Sequence, residues 1–148
     1  MFQFEVHGVP AVQKQTRFTC PCGKGRCYDP SSKDKEYLQW QIRPFAPPEP
    51  LQTAVELTIV FFVPIPKGVS SAVRTQMINR VILPDKKPDE DNLAYLVTNA
   101  LKKIVYDDDR RVCAKHVYKF YGVDPKTVIK VRPILQAEPL GYRDADDF

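Results

Sequence analysis

Two short runs of carboxylates carry the chemistry this chain could do. Asp89, Glu90 and Asp91 stand in KPDEDNL, and Asp107, Asp108 and Asp109 stand in YDDDRRV. Carboxylate oxygens at this density suit a hard divalent cation such as Mg2+, with waters and a substrate phosphate completing its shell. A cation held that way supplies a nucleophilic water near neutral pH and steadies a leaving oxygen, the two needs of phosphodiester hydrolysis. Asp89 and Asp91 are two residues apart, so on an extended entry both point to one side. Asn92 can orient a neighbouring carboxylate. A second account needs no chemistry. The helix dipole favours acidic residues at an N-terminus, and an Asp run after a helix is often a solvated turn.

The elements that must position these residues follow from periodicity. Leu93, Leu96, Val97, Ala100, Leu101 and Ile104 recur at helical spacing, so residues 92–105 read as an amphipathic helix with Lys102 and Lys103 in its last turn. The acidic runs bracket it. At about 1.5 Å per residue the helix is roughly 20 Å long, so the runs meet only if the following chain folds back along it. Residues 2–7 alternate apolar and polar as a half-buried strand does, and 55–63 are β-branched and aromatic, a central strand. Residues 34–43 read as a short helix with Ser31 or Ser32 as N-cap and Trp40 in the core, ended by the prolines of PFAPPEP. Residues 70–79 read as a helix capped by Ser70 or Ser71. Residues 112–121 and 127–133 read as two strands in a hairpin-like pair around GVDPK. The order β-α-β-α-α-β-β predicts an α+β fold, an α/β sandwich with a mixed β-sheet packed against helices in a single small domain. That domain is expected over 1–140, with an acidic tail over 141–148.

A chain of 148 residues can bury a core without staples. No apolar run approaches the ~20 residues needed to span a bilayer, and MFQFEVHGVP lacks a signal-peptide pattern. The expectation is a cytoplasmic protein with no membrane partner. A net charge of +4 says little alone, but its placement is informative. Lys14, Arg17, Lys24 and Arg26 crowd the loop 8–32, Lys86 and Lys87 precede the first acidic run, and Arg110 and Arg111 follow the second. A nucleic-acid backbone demands such cations. Phe18, Tyr28 and Tyr121 offer either packing or stacking on exposed bases. Cys20, Cys22 and Cys27 lie close together among glycines. They are either a Zn2+ knuckle completed by Cys113, His7 or His116, or three ordinary thiols. Without an export signal a disulfide framework is not expected.

In combination these segments resemble the RusA family of Holliday junction resolvases. That family's core reads D-x-D-N-L-x-K, then Asp-Ala-Leu on the same helix, then a D-D-x-Q-V turn. Here Asp89, Asp91, Asn92 and Leu93 match the first part, Ala100 and Leu101 the second, and Asp108, Asp109 and Val112 the third. Lys119 falls where the family often has a lysine on the following strand, and GVPAVQKQTRF with CYDPSSKDKEYLQWQ is similar to phage-type members. The likeness covers most of the chain, with its specific motifs in 87–119. It implies a homodimer, dependence on Mg2+ with Mn2+ as substitute, and paired incisions in branched DNA such as four-way junctions. It implies Asp89, Asp91 and Asp109 as metal ligands, with Asp108 and Lys119 also catalytic. Three positions depart from the pattern: Tyr95 stands for the motif's lysine, Asn99 for the Asp before Ala-Leu, and Arg111 for the Gln. Tyrosine supplies no cation at neutral pH, so Arg110, Arg111, Lys115 or Lys119 must replace it. Otherwise the chain is a non-catalytic branched-DNA-binding protein on the same scaffold. A third reading is an interaction protein of a mobile element with solvated acidic runs.

Overall fold

The computed structural model describes residues 1–20 and 23–135, so Cys22 and the acidic tail lie outside the described residues. β4 (Val55–Pro64) organises the fold: Val55, Leu57, Ile59, Phe61 and Val63 are buried and their neighbours half-buried, the alternation of a strand with one face on the core. It lies inside a four-stranded mixed sheet ordered β1-β6-β4-β5. β1 is Phe2–His7, β5 is Val112–Gly122 and β6 is Lys126–Pro133. β4 pairs antiparallel with β6 and parallel with β5, and β6 pairs antiparallel with β1. A small antiparallel ribbon, β2 (Arg17–Thr19) and β3 (Arg26–Tyr28), folds within the long loop. The fold is α+β, as the pattern predicts.

Two helices cover one face of the sheet. α1 (Ser32–Ile42) contributes Leu38 and Ile42, and α3 (Glu90–Leu101) contributes Leu93, Leu96, Val97, Ala100 and Leu101. These meet Phe4, Val6, Leu57, Ile59, Phe61, Ile129 and Val131 in one cluster. α2 (Ser71–Ile78) packs against β5 and is capped by the Ser70 hydroxyl, which accepts from Val73 N at 3.3 Å. No helix among the described residues is long and apolar enough to cross a membrane.

Four expectations are corrected. β5 and β6 are not a hairpin pair, because β4 lies between them. β4 carries apolar side chains on both faces (Val60 and Phe62 oppose the core set), and the inner position gives it a ladder on each side. The α2–α3 crossover leading to β5 is long enough to make that pairing parallel. The turn from β5 to β6 therefore strides over the end of β4, and a Cβ on Gly122 would sit 2.8 Å from Phe62 Cβ, so a bare backbone is needed there. Trp40 is not in the core but 73% exposed, because Leu38 and Ile42 take the inward stripe of α1. Ser31 stands at the N-cap position of α1 yet makes no cap bond. Its hydroxyl instead accepts from Lys14 N at 2.7 Å and donates to Val12 O. α3 ends at Leu101, so Lys102 and Lys103 lie beyond its last turn. Lys103 adopts a left-handed φ of 67°, and the reversal buries Val105 and Tyr106 completely. Tyr106 donates its hydroxyl to Thr98 O at 2.8 Å, locking the turn against the helix it has just left.

Candidate active site

Asp89 is the N-cap residue of α3 and Asp91 lies in its first turn. Both are exposed, and among the described residues neither forms an ion pair. The Asp89 carboxylate caps no helix N–H, and Asp91 Oδ1 accepts from Asn92 N at 2.9 Å. Two elements hold this entry in place. Lys119 shares the core face of the sheet, opposite Phe61, and its ammonium donates to Lys86 O at 2.9 Å and Pro88 O at 2.8 Å. From the other side Gln13 N donates to Asn92 O at 3.3 Å, fastening the long loop over the first turns of α3. Lys119 therefore acts on the turn that carries Asp89, a positioning role that spacing alone does not reveal.

The second acidic run is built differently. Asp107 forms a two-bond pair with Arg111, Nε to Oδ1 at 2.7 Å and Nη2 to Oδ2 at 2.9 Å. The guanidinium holds the Asp107 carboxyl down at about 2 and raises Arg111 in turn. Asp108 caps a 3-10 turn (Asp109–Arg111), accepting from Arg110 N at 3.0 Å, and that backbone bond is the chief reason its carboxyl is lowered. Lys102 Nζ sits 3.5 Å from a carboxylate oxygen of both Asp108 and Asp109, whose charges raise its own ammonium. Lys102 is thus an ion-pair partner rather than a complement to the helix dipole. Arg111 is committed to Asp107, while Arg110 is 75% exposed and remains available to a phosphate.

The two runs lie at opposite ends of α3. The twelve residues of that helix span about 18 Å. β5 runs back along it, with Val112 beside the second run and Lys119 at the first, roughly 23 Å apart along the strand. Among the described residues no three His, Cys, Asp or Glu side chains gather into one metal-binding group. Cys20 and Cys27 are exposed on and beside the ribbon. His116 Nε2 lies 3.1 Å from Glu56 Oε1, and His7 is 3.9 Å from Glu5, so both histidines already have carboxylate neighbours. Phe18 and Tyr28 are exposed on the ribbon rather than packed inside, and Tyr121 is half-buried.

The cations fall into two groups. Lys86, Lys87 and Lys119 line a cleft of about 270 Å³ with Val9, Pro10 and Tyr121, beside Asp89. Lys14, Arg17, Lys24 and Arg26 are exposed along the long loop and its ribbon. Sequence reasoning misses the network that shapes this loop. Asp29 Oδ1 accepts from Ser31 N at 2.8 Å and from Gln13 Nε2 at 3.0 Å, joining residues sixteen apart in the chain. Asp-Pro-Ser before a helix was the available signal for the first bond, and nothing local signals the second. It also misses Glu56, which accepts from Arg132 Nε at 2.6 Å on the opposite face of the sheet and is held low mainly by that bond.

Exposed carboxylates beside loop cations on so small a domain are the equipment of a protein that acts on a phosphodiester backbone. Residues 7–132 match the family described as Endodeoxyribonuclease RusA, and the chain belongs to that family. It is also similar to a Bacillus subtilis (strain 168) protein described as uncharacterized, YqaN, at 28% identity over 136 residues, 89% of this chain and 96% of that one.

Proposed function

We propose that the chain is a structure-selective, divalent-metal-dependent endodeoxyribonuclease that cuts four-way junctions or related branched DNA in the cytoplasm, working as a homodimer. The observation that carries this reading is the state of Asp89 and Asp91: exposed, free of ion pairs, and fixed on a turn that Lys119 clamps. Their hard oxygen donors fit Mg2+ or Mn2+. Such a cation, when bound, supplies an activated water and neutralises charge on the phosphate. Asn92 N holds the Asp91 carboxylate in orientation, and Lys86, Lys87 and Lys14 bind the flanking backbone.

Asp109 completes the proposed ligand set, and its position argues for two copies. Within one chain α3 keeps Asp109 from Asp91 by its full length, so the set assembles only with Asp109 of the partner subunit. Junction cleavage in Mg2+ and in Mn2+ tests the reading. Asp91→Asn is expected to abolish incision, by at least a hundredfold, while junction binding persists. Unchanged cutting by that variant removes the site assignment.

A second reading has its own observation. Tyr95 is 57% exposed where the motif has lysine, and Lys119 is occupied by two carbonyls, so neither offers the missing cation. A non-catalytic branched-DNA-binding protein follows if the native chain binds junctions and nicks them in neither metal.

A further inference from the structure

The two α3 positions that depart from the family pattern, Tyr95 and Asn99, line one groove. Its volume is about 470 Å³, and its walls include Gln13, Lys14, Asp29 and Asn92. Asn92, Tyr95 and Asn99 fall at i, i+3 and i+7, one face of the helix. The opposite wall is the loop that Ser31 and Asp29 hold rigid.

Gln13 is the unusual member. Its amide nitrogen is spent on Asp29 Oδ1 at 3.0 Å and Lys14 O at 3.1 Å, which fixes the amide plane. Its carbonyl oxygen Oε1 is buried and, among the described residues, accepts no hydrogen bond. A buried acceptor without a donor is unfavourable, and a groove wall is where an incoming donor can relieve it. Tyr95 offers an exposed aromatic face, and Lys14, exposed and without a carboxylate partner among the described residues, offers a cation. A flat ring, a hydrogen-bond donor and a phosphate together make a nucleotide.

We infer that this groove is a base-reading subsite, taking an unstacked nucleobase that carries an exocyclic amino group next to the cleaved phosphate. The amino group donates to Gln13 Oε1, the ring stacks on Tyr95, and Lys14 binds the backbone. The replacement of a lysine by Tyr95 thus exchanges a charge for a stacking surface. Asn92, adjacent to Asp91, places the base one step from the proposed site of incision. The inference rests on the branched-DNA reading above.

The test is binding in EDTA, where no strand is cut, to four-way junctions bearing one unpaired nucleotide at the exchange point. Adenine, cytosine and guanine present an exocyclic amino group and thymine does not, so thymine is expected to bind roughly tenfold more weakly. Gln13→Met is expected to erase that difference. Tyr95→Ala, at an exposed position that leaves folding intact, is expected to weaken all four junctions roughly tenfold, while Tyr95→Phe retains native affinity. Equal affinity for the four junctions, or native binding by Tyr95→Ala, overturns the subsite and leaves the branched-DNA reading standing. Failure to bind any of the four overturns both.

Discussion

Lys119 joins the middle of β5 to the turn before α3 through two backbone carbonyls. Bonds from a charged donor are each worth about 1.5–3 kcal/mol, less where water competes. Lys119→Met is therefore expected to lower unfolding free energy by about 1–3 kcal/mol in urea titrations. It should also reduce incision under conditions where the variant is fully folded. Asp107 makes a different prediction. Its carboxyl ordinarily titrates at 3.8 and here is held at about 2 by Arg111. A folded value below the unfolded one adds stability that is complete above about pH 4 and is lost as pH falls through about 2. Carbon-detected titration should show that midpoint, and Arg111→Gln should return it toward 3.8; an unmoved midpoint in the variant contradicts the pairing. The Asp, Asn and Leu of the first motif are legible in the sequence because chemistry and resemblance agree on them. The Gln13–Asp29–Ser31 network is not, since its partners lie sixteen or more residues apart and none belongs to a periodic pattern.

Among the elements, α3 and β4 are the most legible because each repeats its period over ten residues or more. Leu96 is fully buried at the centre of the α3 stripe. Leu96→Ala is expected to cost about 2–5 kcal/mol, read as a drop in denaturation midpoint at unchanged slope. Gly122→Ala is expected to cost about 1–3 kcal/mol by pushing Phe62 aside. Less legible was the pairing of β5, because neighbours in sequence are the natural guess for neighbours in a sheet, and only the competition for the inner place decides otherwise. Trp40 misled for a related reason. Helical spacing identifies a face, but Leu38 and Ile42 offered an equally regular one and took the interior.

For the whole molecule, the separation of the acidic runs by α3 turns a statement about ligands into one about assembly. If Asp91 and the partner subunit's Asp109 serve one site, then Asp91→Asn and Asp109→Asn homodimers are both inactive. Mixing them regenerates, in each heterodimer, one intact site and one doubly defective site. The expected product is a junction nicked on one strand but not resolved by paired cuts, visible on denaturing gels. No activity on mixing, with dimers shown to exchange, argues that each site is built within one chain.

The sheet order has a consequence for how such a chain comes into being. β1 and β4 are held apart by β6, whose residues pair with Phe2–His7 on one side and with β4 on the other. During synthesis the first strand therefore waits for the last, and β4 and β5 can pair while the interior place beside them stands empty. A chain interrupted before residue 126 lacks the strand that joins the two halves of the sheet, so incomplete products should be recognised as unfolded and degraded. For a protein proposed to cut DNA, that order of events delays competence until translation has passed almost the whole domain.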